Sequence, residues 1–361
     1  MTGRKPAFSY AKRELGLSLI ELMVAMILGL VIMGAVAGVM LSNSQGFRTT
    51  KALTQIQDSV RVGYELMARD IRQAGNMPCG NDIEIVNILN GAQGNSAAWQ
   101  YDWGQGILGL TANDGLNGIS NRVAGTEALI LTSGDAGGVY LIEDKYPAAN
   151  IVVGAPSGSH GIVDGDILLV CNHMQGTIFQ VSANPGNGGG NGGGSGNNNE
   201  HVININTGNG TPGNCTKGLG PLILDGDGKC DNNGSPGPYT RNATIGKLAS
   251  VVWYIGDNDR NAEGGRSLYM ARLTPNSSGN AVLNEVEIAS GVVDLELLYR
   301  RQDTSDFVGA ASISDWGAVN AVQVSLKLDS QEQNVSIDSS NNSGRISREL
   351  TSIVAIRNRS L

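Results

Sequence analysis

Hydrophobic and polar positions divide the chain into two long regimes. From Leu22 to Leu41 no charged side chain occurs across 20 positions, and Glu21 is the only charge between Gly16 and Leu41. At a rise of about 1.5 Å per residue this run predicts a helix able to cross a hydrocarbon core of roughly 30 Å. Beyond it, Leu53, Ile56, Val60, Tyr64, Met67 and Ile71 recur at three- and four-residue spacing and make one apolar stripe. Asp58, Arg61, Glu65, Arg69 and Asp70 fall on the opposite, charged face, with Glu65 and Arg69 in the acid-first order that supports a helix. Gly75 followed by Pro78 is a stop signal. The pattern predicts one helix from about Leu17 to Ala74, on the order of 87 Å long. It would fill the segment 17–75, with a transmembrane part over 17–41.

From Ile83 onward the period becomes that of strands. Ala128 to Thr132, Val139 to Ile142, Asp166 to Cys171, Thr177 to Val181, Leu248 to Ile255 and Ser267 to Leu273 are short runs rich in Val, Ile, Leu and aromatics, bounded by Gly, Asn or Asp. The turn from Tyr254 to Arg260 leading into Ser267 predicts a hairpin. Val322, Val324, Leu326 and Leu328 alternate with Gln323, Ser325 and Lys327, a half-buried strand with one wet face. Leu350, Ile353 and Ala355 suggest a strand that closes the sheet. No βαβ alternation occurs, so the sheet is expected to be antiparallel. Residues 184–199, mostly Gly and Asn, cannot bury apolar area and are read as a mobile insertion between strands. The fold class is α+β: a long N-terminal helix packed on an antiparallel β-sheet head over 76–361.

Charge orients the apolar run. Residues 1–16 carry Arg4, Lys5, Lys12 and Arg13 against Glu14, a net +3 on the side expected to stay cytoplasmic, so the bulk of the chain faces out. A secretory signal peptide would have a shorter apolar region and a small-residue cleavage site after it. The whole chain of 361 residues has a formal charge of −8, and removing the leader's +3 makes it −11. That acidity argues against a nucleic-acid partner, which would want a basic stripe. With 51 glycines and only 5% aromatics, the head should be rich in turns and loops.

A short basic leader, Gly16 before Leu17, and Glu21 five residues after Gly16, with Leu19 and Ile20 in apolar places, resemble the prepilin signal of type IV pilins and pseudopilins. The family's residue after the cut is usually Phe and here is Leu17. The resemblance implies cleavage between Gly16 and Leu17 by a prepilin peptidase, N-methylation of Leu17, and a register-setting role for Glu21, paired with the N-terminal amine of a neighbouring subunit. An unpaired carboxylate at the edge of hydrocarbon costs on the order of a few kcal/mol, which favours such a partner. The plain alternative is a signal anchor with Glu21 at the membrane interface. Gly34 and Gly38 form a small-xxx-small pair that could bring helices close; with Gly29 they could equally loosen the helix.

The run from Asn284 to Arg300, the later Trp316, the segment Ala321–Leu328, the closing Val354–Asn358, and Asp70–Gly75 with nearby Cys79 resemble PilW-type minor pilins. That resemblance implies a structural subunit that joins other minor pilins and the major pilin, uses the inner-membrane assembly platform, helps to start a pilus, and stands at its tip. It would sit in the inner membrane with a periplasmic head, then enter the pilus. A J-type pseudopilin of type II secretion is the alternative within the class. A membrane-anchored periplasmic hydrolase or binding module is the alternative outside it.

Cys79, Cys171, Cys215 and Cys230 all lie beyond the apolar run, in what would be an oxidising compartment, and predict two disulfides. Three pairings are open; Cys79 with Cys171, and Cys215 with Cys230 closing a local loop, is preferred. A zinc site is disfavoured because no pair has CxxC spacing and Cys171-Asn-His173 is too short a motif. Asp225, Asp227 and Asp231 place oxygen ligands as calcium loops do, yet Lys229 occupies the fifth position and no Glu closes the loop, so a polar turn is favoured. Asp257, Asp259 and Glu263 form a second acidic turn. His160, His173 and His201 are scattered, and no Gly-x-Ser-x-Gly elbow, HExxH helix or P-loop occurs. No cofactor and no catalysis are expected.

Overall fold

The computed structural model describes residues 18–80, 83–92, 98–155, 160–182, 200–208, 210–336 and 342–359. One helix, α1 (Leu19–Gln73), precedes all strands. The chain forms two compact units, Met1–Ala52 and Leu53–Leu361, so the last part of α1, from Leu53 to Gln73, belongs to the larger unit.

The strands are β1 (Glu84–Asn87), β2 (Ile107–Leu110), β3 (Ala128–Asp144), β4 (Asn150–Gly154), β5 (Ile167–Cys171), β6 (Gln175–Gln180), β7 (Glu200–Asn204), β8 (Thr244–Asp257), β9 (Arg266–Pro275), β10 (Ala281–Ser290), β11 (Val292–Arg301), β12 (Val308–Gly309), β13 (Val319–Asp329) and β14 (Ser347–Ala355). They make two sheets where the pattern suggested one. The first is built on β3 and β8, which pair antiparallel along most of their length. Their near ends are flanked by β2 on one side and by β9 and β10 on the other; their far ends carry β4 and β7, and β5, β6 and β1. The second sheet has the order β12-β11-β13-β14.

Three expectations are corrected. The runs 128–132 and 139–142 are one strand with a register shift between Asp135 and Val139, because β8 pairs on both sides of the irregularity and Gly137 and Gly138 supply positive φ there. The pairing of β1 with β6 is parallel, unlike every other pair. Asp70, placed by periodicity on the wet face, is buried: its Oδ2 accepts Trp253 Nε1–H at 3.2 Å, and Arg272 Nη2 lies 3.6 Å from Oδ1. An indole donor and a guanidinium on the sheet compensate the desolvated carboxylate. The segment 184–199, between β6 and β7, lies outside the described residues.

The apolar stripe of α1 is the seam of the main core. Ile56, Met67 and Ile71 are buried with Leu129, Trp253 and Leu268 of the first sheet, and with Leu297, Val322 and Val324 of the second. At Gly63 a Cβ would meet Leu268 at 3.0 Å, so the glycine sets how closely α1 and β9 approach. Where β11 leaves the short β12, Glu127 Oε2 accepts the Leu297 N–H at 2.7 Å, and burial raises the pKa of this carboxyl. A second core under β4–β7, including Leu141, Ile151, Val170, Phe179 and Ile203, supports the far end of the first sheet.

The end of α1 is locked from both directions. Cys79 is bonded to Cys171 in β5, across 92 residues. From the C-terminus, Asn358 Nδ2 donates to Gly75 O at 2.8 Å, and Arg359 donates to the carbonyls of Trp316 (2.7 Å) and Gln105. The approach is tight: at Gly106, with φ of +75°, a Cβ would lie 2.4 Å from Gly75 Cα.

Candidate functional site

The N-terminal motif is read from Ser18 onward, because Gly16 and Leu17 lie outside the described residues. α1 opens at Leu19, and the Ser18 carbonyl accepts the Leu22 N–H at 3.2 Å. The Ser18 hydroxyl accepts the Glu21 N–H, also at 3.2 Å. Ser18 therefore caps the helix, and Ser-x-x-Glu is the spacing of a capping box. The sequence carries this signal in the spacing of Ser18 and Glu21, which the charge of Glu21 alone does not reveal. Glu21 is an acid in the first turn, where the positive end of the helix dipole favours it, and it is exposed.

Among the described residues, nothing covers the apolar run that follows. Leu19, Met33 and Leu41 are 77%, 75% and 74% exposed, and among the described residues nothing beyond the helix's own local backbone lies within 4 Å of where a Cβ would stand at Gly29, Gly34 or Gly38. Among the described residues this is the one helix long and apolar enough to cross a membrane. So much apolar surface is unfavourable in water and calls for lipid or other helices around it. The physical chemistry available here is therefore insertion and helix packing, with one carboxylate, Glu21, at the start of the run.

The other candidates serve the head. Cys215 is bonded to Cys230, 15 residues on, beside the bridge between Leu224 and Cys230. Asp225 Oδ1 accepts the N–H groups of Asp227 and Lys229 at 3.0 and 2.8 Å, and Asp231 Oδ1 accepts those of Asn233 and Gly234 at 2.9 and 2.8 Å. Asp225 thus caps a turn within the disulfide-closed loop, and Asp231 caps one just beyond Cys230. In the second acidic turn Asp257 Oδ1 accepts the Asp259 N–H at 2.9 Å, and Glu263 pairs with Arg260 at 2.9 Å. Among the described residues no group of three His, Cys, Asp or Glu side chains is placed to hold a metal ion.

Two histidines do meet. His160 and His201 stand edge to face with ring centroids 4.5 Å apart, while His173 lies by the Cys79–Cys171 bond. His160 Nδ1 accepts the Ile162 N–H at 3.0 Å. Burial first, then His201 and Lys247, lower the His160 pKa against the opposing pull of Asp166.

Against known proteins, a family model described as the prokaryotic N-terminal methylation motif matches residues 11–37. Neither the curated proteins nor the solved structures gave a match. Together with the long apolar helix, the motif supports a type IV pilin-like, membrane-anchored protein, and it implies processing by a prepilin peptidase and assembly with other pilins.

Proposed function

We propose that the chain is a minor pilin of PilW type, a structural subunit rather than an enzyme, which helps to start a type IV pilus and stands at its tip. The observation that supports this most is the capped start of α1: Ser18 fixes the first turn and Glu21 is presented there, immediately ahead of an uncovered apolar run.

In this reading the peptidase cuts between Gly16 and Leu17 and the new amine is methylated. Glu21 pairs with the amine of a neighbouring subunit, relieving on the order of a few kcal/mol of carboxylate desolvation. Packing of the bare apolar helices then favours transfer from the inner membrane into a filament, and the periplasmic head supplies lateral contacts to other minor pilins.

The test is deletion of the gene in its host. Loss of surface pili and twitching with secretion of exoenzymes intact is the expected result. Loss of exoenzyme secretion with normal pili would replace the pilus reading with a type II secretion pseudopilin.

A further inference from the structure

A cleft in the head is lined by Trp99 and Trp316, and the assembly reading gives it no part. It measures about 90 Å³, with the buried Ile107 of β2 and Ile130 of β3 as its apolar floor. Asp102 and Gln105, both exposed, supply its polar rim. Two of the chain's four tryptophans meet at this one cleft, in a sequence with only 5% aromatic residues. Among the described residues Asp102 is the one charged side chain that lines it.

Both indoles are held by neighbours outside the cleft. Trp99 lies in the helical turn Trp99–Tyr101, and its Nε1–H donates to Asn117 O at 2.9 Å. Trp316 packs edge to face against the buried Tyr299, with ring centroids 4.8 Å apart, and its carbonyl accepts from Arg359 at 2.7 Å. The Asp102 carboxylate is fixed as well: Oδ1 accepts the Gly104 N–H at 2.9 Å, which leaves Oδ2 for an incoming group. The Arg359 guanidinium donates to the carbonyls of Trp316, Val319 and Gln105 and is not a lining group.

Size and charge narrow the ligand. Pockets for whole drug-sized molecules run to roughly 300–1,000 Å³, so a cleft of about 90 Å³ seats one compact group. Indole faces attract cations, most strongly where water is excluded. The floor of Ile107 and Ile130 supplies such a surrounding, and Asp102 adds the matching negative charge. An anionic group would meet the carboxylate with no lining cation to offset it. We infer that the cleft binds an alkylammonium group, its methylated nitrogen against Trp99 and Trp316 with Asp102 as the counter-charge. The same chemistry is offered by a free choline-type solute and by a phosphocholine headgroup.

The full-length protein in a maltoside detergent is titrated at constant ionic strength with choline, with glycerophosphocholine, and with dimethylbutanol, the uncharged carbon isostere of choline. Binding is read by calorimetry and by tryptophan fluorescence. The expected result is saturable binding of at least one choline compound, about fivefold or more tighter than that of the isostere. Asp102→Asn and Trp99→Leu should each weaken it about threefold or more. Tighter binding of choline identifies a free solute as the ligand, and tighter binding of glycerophosphocholine identifies a lipid headgroup. Absence of saturable binding of both choline compounds, equal binding of the isostere, or binding that both variants leave unchanged while their unfolding curves match the parent, overturns the proposal.

Discussion

The hydroxyl oxygen of Ser18 lies 3.2 Å from the backbone nitrogen of Glu21, so the residue that carries the one charge between Gly16 and Leu41 is also the third residue of a capped helix. The helix cap and the proposed assembly role of Glu21 separate by mutation. Ser18→Ala should cost about 1 kcal/mol of local helix stability, seen as roughly fivefold faster hydrogen exchange of the first-turn amides. Filament incorporation should stay near normal in that variant. Glu21→Ala should leave processing intact and lower incorporation sharply, and equal incorporation of the two variants would contradict the division.

Asp70 anchors α1 to the sheet through Trp253. Asp70→Ala strands the indole N–H in the core and should lower unfolding free energy by about 2–4 kcal/mol, whereas Asp70→Asn, which retains an acceptor, should cost about half as much. Urea unfolding of the two variants measures the difference. An alanine variant as stable as the parent would show that the 3.2 Å contact contributes nothing.

The two disulfides close loops of different size, 92 residues for Cys79–Cys171 and 15 for Cys215–Cys230. On chain-entropy grounds, replacing the first pair by serine should cost about 4.6 kcal/mol and the second about 3 kcal/mol. Thermal melts of the two double variants should rank in that order. The reverse ranking would mean that the local loop around Asp225 contributes more than its closure entropy.

Burial of His160, with His201 beside it, predicts a pH dependence. The folded state holds the His160 pKa below its ordinary value of about 6.5, so the unfolded chain binds the extra proton first. This contribution is complete above about pH 6.5 and is lost as pH falls from there through the depressed folded value. His160→Gln should flatten the change in urea midpoint between about pH 7.5 and pH 5.5. An unchanged slope would remove His160 from the account.

Periodicity made α1 legible because its apolar spacing is a property of the helix alone, and Ile56, Met67 and Ile71 are buried where that spacing puts them. Asp70 escaped the same reasoning because its partners, Trp253 and Arg272, lie far along the chain and only the fold brings them in. The sheets show the same limit. The alternation in β13 is visible by itself, but the continuity of β3 through Gly137 depends on β8 pairing across the gap. Gly109 gave no signal, yet a Cβ there would lie 2.2 Å from Tyr299 Oη, beside the contact of Tyr299 with Trp316.

The most direct test of the central claim is the mass of the N-terminal peptide of membrane-extracted protein, from hosts with and without the prepilin peptidase. The account predicts a peptide that begins at N-methylated Leu17 in the first host and retains residues 1–16 in the second. An intact leader in both hosts, or a cut beyond Leu41, would contradict it and leave Glu21 without an assembly role.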